Sequence, residues 1–137
     1  MAAKTMTAFT LVNLKEEVED QAVKFGLSPH LEARFARSAL GLEHSGMSYQ
    51  RLAPGFRIPF GHRHRHQEEI YVLLSGSSRA KLGEELVELK AWDALRVPPE
   101  TMRGFEAGED GVEFIAFGAP ATGRSNDADM TQGWWSG

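Results

Sequence analysis

From Leu31 onwards the apolar residues of this chain tend to fall at every second position in short runs, and the segments between the runs are rich in glycine and proline. Side chains alternate faces along an extended backbone, so such a run buries one face and wets the other; a helix would need apolar residues three and four apart. Leu31, Ala33 and Phe35 against Glu32 and Arg34 show the pattern most plainly. Further strands are predicted over residues 46–52, 57–60, 70–74, 79–82, 85–89, 94–97 and 112–117. Gly83-Glu84 fits a two-residue hairpin loop, because glycine supplies the positive φ such loops need. Short strands at this spacing make an all-β sandwich or barrel.

One segment follows the other period. Leu14, Val18, Ala22 and Phe25 recur at helical spacing, with Asn13 placed to cap, Glu16 at the capping-box position and Gly26 to stop. The spacing predicts one short N-terminal helix over residues 14–25. At 137 residues with 42% apolar content, one domain with a real core suffices. The division expected is an extension at 1–30, a barrel at 31–118 and a small polar tail at 119–137. Trp134-Trp135 interrupt that tail and should pack on the barrel or on a second subunit, since adjacent tryptophans seldom stay in water.

A net charge of -4 argues against nucleic acid as the main partner. The absence of cysteine excludes disulfides and thiolate chemistry. Met1-Ala2-Ala3-Lys4-Thr5 has no apolar signal core, and no run approaches the roughly 20 apolar residues of a membrane span, so a cytoplasmic protein without a membrane partner is expected.

Chemistry concentrates in Gly61-His62-Arg63-His64-Arg65-His66-Gln67-Glu68-Glu69. Imidazole with carboxylate is a metal-binding combination. On a strand His62 and His64 share a face, and Glu69 joins them only if residues 65–68 turn and reset the alternation. Arg63 and Arg65 should point away, Glu68 should be exposed and offset them, and His66 is either a spare ligand or, more simply, a turn residue. Tyr49, Arg57, Phe60, Tyr71, Met102 and Phe105 are candidates to line a pocket, although on strands such residues are mostly core. His30 and His44 lie in turns, and the Glu-rich stretches at 16–20 and 84–88 read as solvated faces.

These residues carry a likeness. Gly55, His62, His64, Glu69 and Gly76 match the first motif of a small single-domain bacterial cupin, with four residues between His64 and Glu69 and six between Glu69 and Gly76. The spacer after Gly55 is one residue longer than usual. The second motif aligns on Pro98 but is eroded: Trp92 and Glu100 stand where it has glycines, Arg103 where it has histidine and Ala107 where it has asparagine, while Asp93 still fits the preceding turn. The likeness runs from about Tyr49 to Phe117. It implies a double-stranded β-helix, or jelly roll, with His62, His64 and Glu69 at the barrel mouth and the fourth metal ligand missing; pairing as a homodimer is expected, since it would bury open sheet edges.

Two histidines and one carboxylate also compose the facial triad of non-haem iron oxygenases, so a lost fourth ligand does not exclude a divalent transition metal, whether Fe, Mn, Ni, Cu or Zn. Arg103 decides the matter. A guanidinium cannot ligate, so it either pairs with Glu69 in place of the metal, binds the anion of a ligand that also touches the metal, or turns outward. The function expected is binding of a metal and a small, anionic molecule near Arg103, with Tyr71, Phe105 and His66 as additional candidates, and with metal-dependent oxidation or isomerisation as the reaction class if there is turnover. The alternative is a metal-free binding or sensing protein.

Overall fold

The computed structural model describes residues 4–5, 8–121 and 127–136. Among these residues the regular structure is almost all strand: β1 (Lys4–Thr5), β2 (Thr10–Leu11), β3 (Leu31–Phe35), β4 (Gly46–Leu52), β5 (Phe60–His64), β6 (Glu68–Leu82), β7 (Glu85–Lys90), β8 (Ala94–Val97), β9 (Arg103–Ala119) and β10 (Ala128–Gln132), with two single-turn helices, α1 (Leu14–Glu17) and α2 (Arg37–Leu40). All the pairings are antiparallel. β1 and β2 form a small ribbon, and the rest is one curled sheet in the order β10-β5-β9-β4-β3, with β6 joining β9 to β7 and β8. This is the double-stranded β-helix.

β6 and β9 hold it together. The second part of β9 lies between β4 and the first part of β6, and its first part, from Arg103 to Ala107, pairs with the second part of β6. Both strands bend between these parts, where the register slips at Leu73/Ser75 and Gly76/Ser78. The bend needs glycine. Gly76 has φ 74°, and a Cβ there would stand 2.0 Å from the carbonyl oxygen of Gly111. Residues 70–74 and 79–82, expected as two strands, are therefore one strand folded at a bulge.

The core is the inner face of the curl. Leu52, Leu73, Ala80, Val97 and Phe114 are almost fully buried, and Tyr71, Phe105 and Phe114 meet with ring centroids 4.7 to 5.8 Å apart. The strands expected at 31–35, 46–52, 85–89 and 94–97 form within a residue of those bounds, and the loop at Gly83 has the φ of 60° it needs.

Elsewhere the elements differ from expectation. The helix stops at Glu17, although Asn13 caps it by accepting from the N–H groups of Lys15 and Glu16. Val18 turns extended, and Asp20 and Gln21 are drawn onto β3: Asp20 Oδ1 accepts from Ala33 N at 2.9 Å, and Gln21 N donates to Ala33 O at 2.8 Å. Pairing with a strand thus overrides helical spacing, and Gly26 closes a turn instead. α2, which the spacing did not predict, ends on Gly41 in the left-handed conformation. Residues 57–60 do not form the strand expected there, because Pro59 has no N–H to give a ladder; Arg57 makes one isolated bridge to Glu106, and β5 begins at Phe60. Of the expected polar tail, the described part carries β10, which pairs with β5 and sets Met130 opposite His62. Among the described residues no helix is long and apolar enough to cross a membrane.

Candidate metal centre

The site forms where β5, β6, β9 and the C-terminal segment meet. β5 ends at His64, the chain bends at Arg65 and His66, and β6 begins at Glu68, which resets the alternation as the sequence requires. His62, His64 and Glu69 then converge, with one ligand atom from each lying within 4.8 Å of the others. His62 Nε2 stands 3.5 Å and His64 Nε2 3.3 Å from Glu69 Oε1. In a tetrahedral site with bonds of about 2.1 Å, neighbouring ligand atoms stand about 3.4 Å apart, so these are edge lengths of a coordination polyhedron.

The nitrogen of His64 is the sharpest test of fit. Its Nδ1 lies 2.9 Å from Asp127 Oδ2, and an ionised carboxylate only accepts, so Nδ1 carries the hydrogen. In the neutral ring, the form a metal would bind, Nε2 keeps its lone pair. That atom is buried and has no hydrogen-bond partner. A buried nitrogen lone pair beside a carboxylate with no hydrogen bond between them is what a cation would satisfy, and the carboxylate behind Nδ1 would orient and strengthen such a ligand. The donor set fits a divalent transition metal.

Glu69 is fixed from both sides. Tyr71 donates its hydroxyl to Oε1 at 2.5 Å, and Gln67 donates its amide to Oε2 at 3.0 Å while resting against Gly118. Burial pushes the Glu69 carboxyl up, but the nearby imidazoles of His62 and His64 and the Tyr71 hydroxyl outweigh burial and hold it well below the usual carboxylate range. Burial likewise pushes both imidazoles down and prevails for His62. For His64 the Glu69 and Asp127 carboxylates prevail, and its pKa rises.

Arg103 is wholly buried, opposite His62 in the register of β5 and β9. One terminal nitrogen, Nη2, donates to the Pro98 carbonyl at 2.9 Å; the other, Nη1, stands 3.7 Å from Glu69 Oε1 without a hydrogen bond, and Nε also lacks a partner. The outward orientation considered for Arg103 is thereby overturned.

A cavity of about 840 Å³ opens onto this cluster. Of the pocket candidates, Phe60, Tyr71 and Phe105 line it, whereas Tyr49 bonds Glu113 on the outer face, Met102 is not part of the wall and Arg57 is engaged by Glu106 and Trp135. His66 is exposed and stands outside the cluster. Arg63 and Arg65 do point away, but Asp129 faces them, while Glu68 pairs with Arg96. His30 stacks on Phe56, and His44 is exposed beside Glu43.

The C-terminal segment buttresses the site. The Trp134 ring occupies the space a Cβ on Gly61 would need, and Arg57 lies over Trp135 with its guanidinium carbon 4.3 Å from the ring centroid. Asp127 and Gln67 are the two residues at the site that sequence reasoning missed. Gln67 adjoins the motif and could have been found there; Asp127 gave no signal.

Residues 48–117 match the family model described as a cupin domain. The chain belongs to the cupin family. Among solved structures, a cupin protein from Bacteroides fragilis superposes with a TM-score of 0.68 at 26% identity, over 85% of this cupin and 87% of that one. Oxalate decarboxylase from Bacillus subtilis superposes with a TM-score of 0.74 at 19% identity, over 93% of this chain and 33% of the decarboxylase. A nucleoside dehydratase, from Streptomyces, gives 0.67 at 18% identity over 93% of this chain and 92% of its own. At such identities these last two share the fold. No curated protein matches the chain.

Proposed function

We propose that this cupin binds a divalent transition metal through His62, His64 and Glu69 and a small organic anion beside it, near Arg103. The observation that carries the reading is the buried Nε2 of His64, unpartnered while Asp127 holds Nδ1. With three protein ligands, positions remain open for water or for the bound anion. When bound, the ion supplies Lewis acidity or a site for dioxygen, so oxidation or isomerisation of a small carbonyl or carboxylate compound is the chemistry to assay first. The chain's own contribution is to position the ligands: Asp127 orients His64, Tyr71 and Gln67 orient Glu69, and Arg103 lends a positive charge to the polar end of the cavity.

A second reading has its own observation. Arg103 Nη1, 3.7 Å from Glu69 Oε1, offers a counter-charge without any metal, and the protein would then bind its ligand without turning it over. Metal analysis separates the two. Protein purified without a histidine tag and incubated with iron, manganese, nickel, copper or zinc salts should retain about one ion per chain, His62→Ala and His64→Ala should lose it, and Arg103→His should hold it more tightly. No stoichiometric metal in the wild type would sink the metal reading. Assembly as a homodimer belongs to the same proposal, and light scattering on the eluting protein tests it.

A further inference from the structure

The cavity has two chemically distinct ends. Its polar end is the cluster around Glu69, and the rest of its wall is mostly apolar, with Leu31, Ile58, Phe60 and Phe114 beside a few polar residues such as Arg37 and Gln50. The apolar wall does not stop at the interior. Phe25, Phe35 and Met130 also line the cavity, and they are 71%, 55% and 57% exposed. Large apolar side chains gathered at the rim of a cavity and left in water mark a surface that a ligand covers.

Charge at the polar end adds a second constraint. Arg103 and a divalent ion bring three positive charges, while Glu69 and Asp127 return two. A buried charge without a partner is costly, so the occupant that balances this end carries a single negative charge. We infer that the ligand is an amphipathic monocarboxylate, with its carboxylate at the metal and Arg103 end and an alkyl or aryl body running along the apolar wall to Phe25 and Phe35 at the mouth. The inference rests on the metal reading for the place of the carboxylate, and on the wall alone for the body. A volume of about 840 Å³ is far more than a two-carbon acid fills, and it lies within the range of pockets that enclose drug-sized molecules.

The test is a homologous series of straight-chain acids from acetate to dodecanoate, with 4-phenylbutyrate, oxalate and decylamine as comparisons, titrated calorimetrically into metal-loaded and metal-free protein. Affinity should rise about fourfold per methylene until the body reaches the mouth, the value for burying one CH₂ group. Decanoate should outbind both oxalate and decylamine. Phe25→Asp and Phe35→Asp, on side chains already more than half exposed, should weaken decanoate at least tenfold while leaving acetate affinity and metal content unchanged. A flat series, or oxalate binding as tightly as decanoate, in protein that holds its metal overturns this inference alone. Protein that takes up no metal yet shows the chain-length gain overturns the metal reading alone. Decylamine binding as tightly as decanoate refutes the placement of charge.

Discussion

Asp127 offers the most discriminating perturbation, because it touches the candidate centre only through His64. The Nδ1–Oδ2 contact of 2.9 Å joins two side chains that are each 11% exposed, so solvent screens it little. A hydrogen bond to a charged group contributes about 1.5–3 kcal/mol, and loss of a carboxylate behind a metal-binding histidine costs about 10–100-fold in metal affinity, or about 1.4–2.7 kcal/mol. The two ranges agree, and Asp127→Ala should therefore weaken metal binding by 10–100-fold. Asp127→Asn keeps a neutral acceptor for Nδ1–H and should cost less, about 3–10-fold, since neutral hydrogen bonds are roughly half as strong. The assay is competitive titration against a chromophoric chelator at constant pH, with nitrogen chemical shifts of His64 reporting its tautomer. Asp127 Oδ1 also accepts from His66 N at 3.1 Å, so melting temperature must be followed in parallel. Asp129→Ala, which removes only the outer partners of Arg63 and Arg65, serves as the control and should leave metal affinity unchanged. If Asp127→Ala binds metal as the wild type does while His64→Ala does not, Asp127 has no part in presenting Nε2, and the argument from the unpartnered nitrogen fails.

Two further outcomes concern the scaffold. Trp92 has φ 73° and is 76% exposed, held there by its N–H donating to Leu73 O at 2.8 Å. The left-handed conformation costs a side-chain-bearing residue about 1–2 kcal/mol, of which glycine's extra freedom in the unfolded chain returns about 0.4–1. Trp92→Gly should therefore raise unfolding free energy by about 0.5–1 kcal/mol in urea titrations, whereas Trp92→Ala, which keeps the strained backbone, should not; equal effects would refute the account. Glu106 accepts from Arg79 at 2.8 Å and Arg57 at 3.0 Å, and the Arg79 bond chiefly holds its carboxyl below the usual range. A lowered carboxyl stabilises the fold above its ordinary pKa, and that stability is lost as pH falls through the lowered value. Glu106→Gln should thus cost at most about 1 kcal/mol near neutral pH, because the pair is partly solvated, and the difference from wild type should vanish in acid, with Trp135 fluorescence following the release of Arg57.

The strands that sequence reading located were those whose inner faces are apolar. Leu31–Phe35 and Ala94–Val97 alternate cleanly because every second residue enters the core or its margin. Apolar alternation did not reveal β5 for a physical reason: His62 and His64 occupy its inner positions, so the polar site itself erases the apolar pattern, and only the shared face of the two imidazoles pointed to a strand. The site's local half was readable, since spacing alone brings His62, His64 and Glu69 to one point once the turn is granted. Its distant half was not. The bond from His64 to Asp127 spans 63 positions, and Asp127 sits among small polar residues whose pattern carries no period. The N-terminal helix ends early for the converse reason, as Asp20 finds its partners on β3 and leaves the helical spacing beyond Glu17 without a helix.

Arg103 stands where the family pattern has its fourth ligand, and its bonding argues for charge rather than replacement. A guanidinium substituting for the metal would clasp Glu69 through hydrogen bonds, because a buried ion pair repays its desolvation only with good geometry. Instead Nη2 is given to the Pro98 carbonyl, Nη1 stops 3.7 Å short of Glu69, and the carboxylate takes its hydrogen bonds from Tyr71 and Gln67. Glu69 is thus held in place by neutral donors that leave its charge free to serve a cation. A permanent positive charge set beside a three-ligand site favours an anion as the occupant of the positions the protein leaves open.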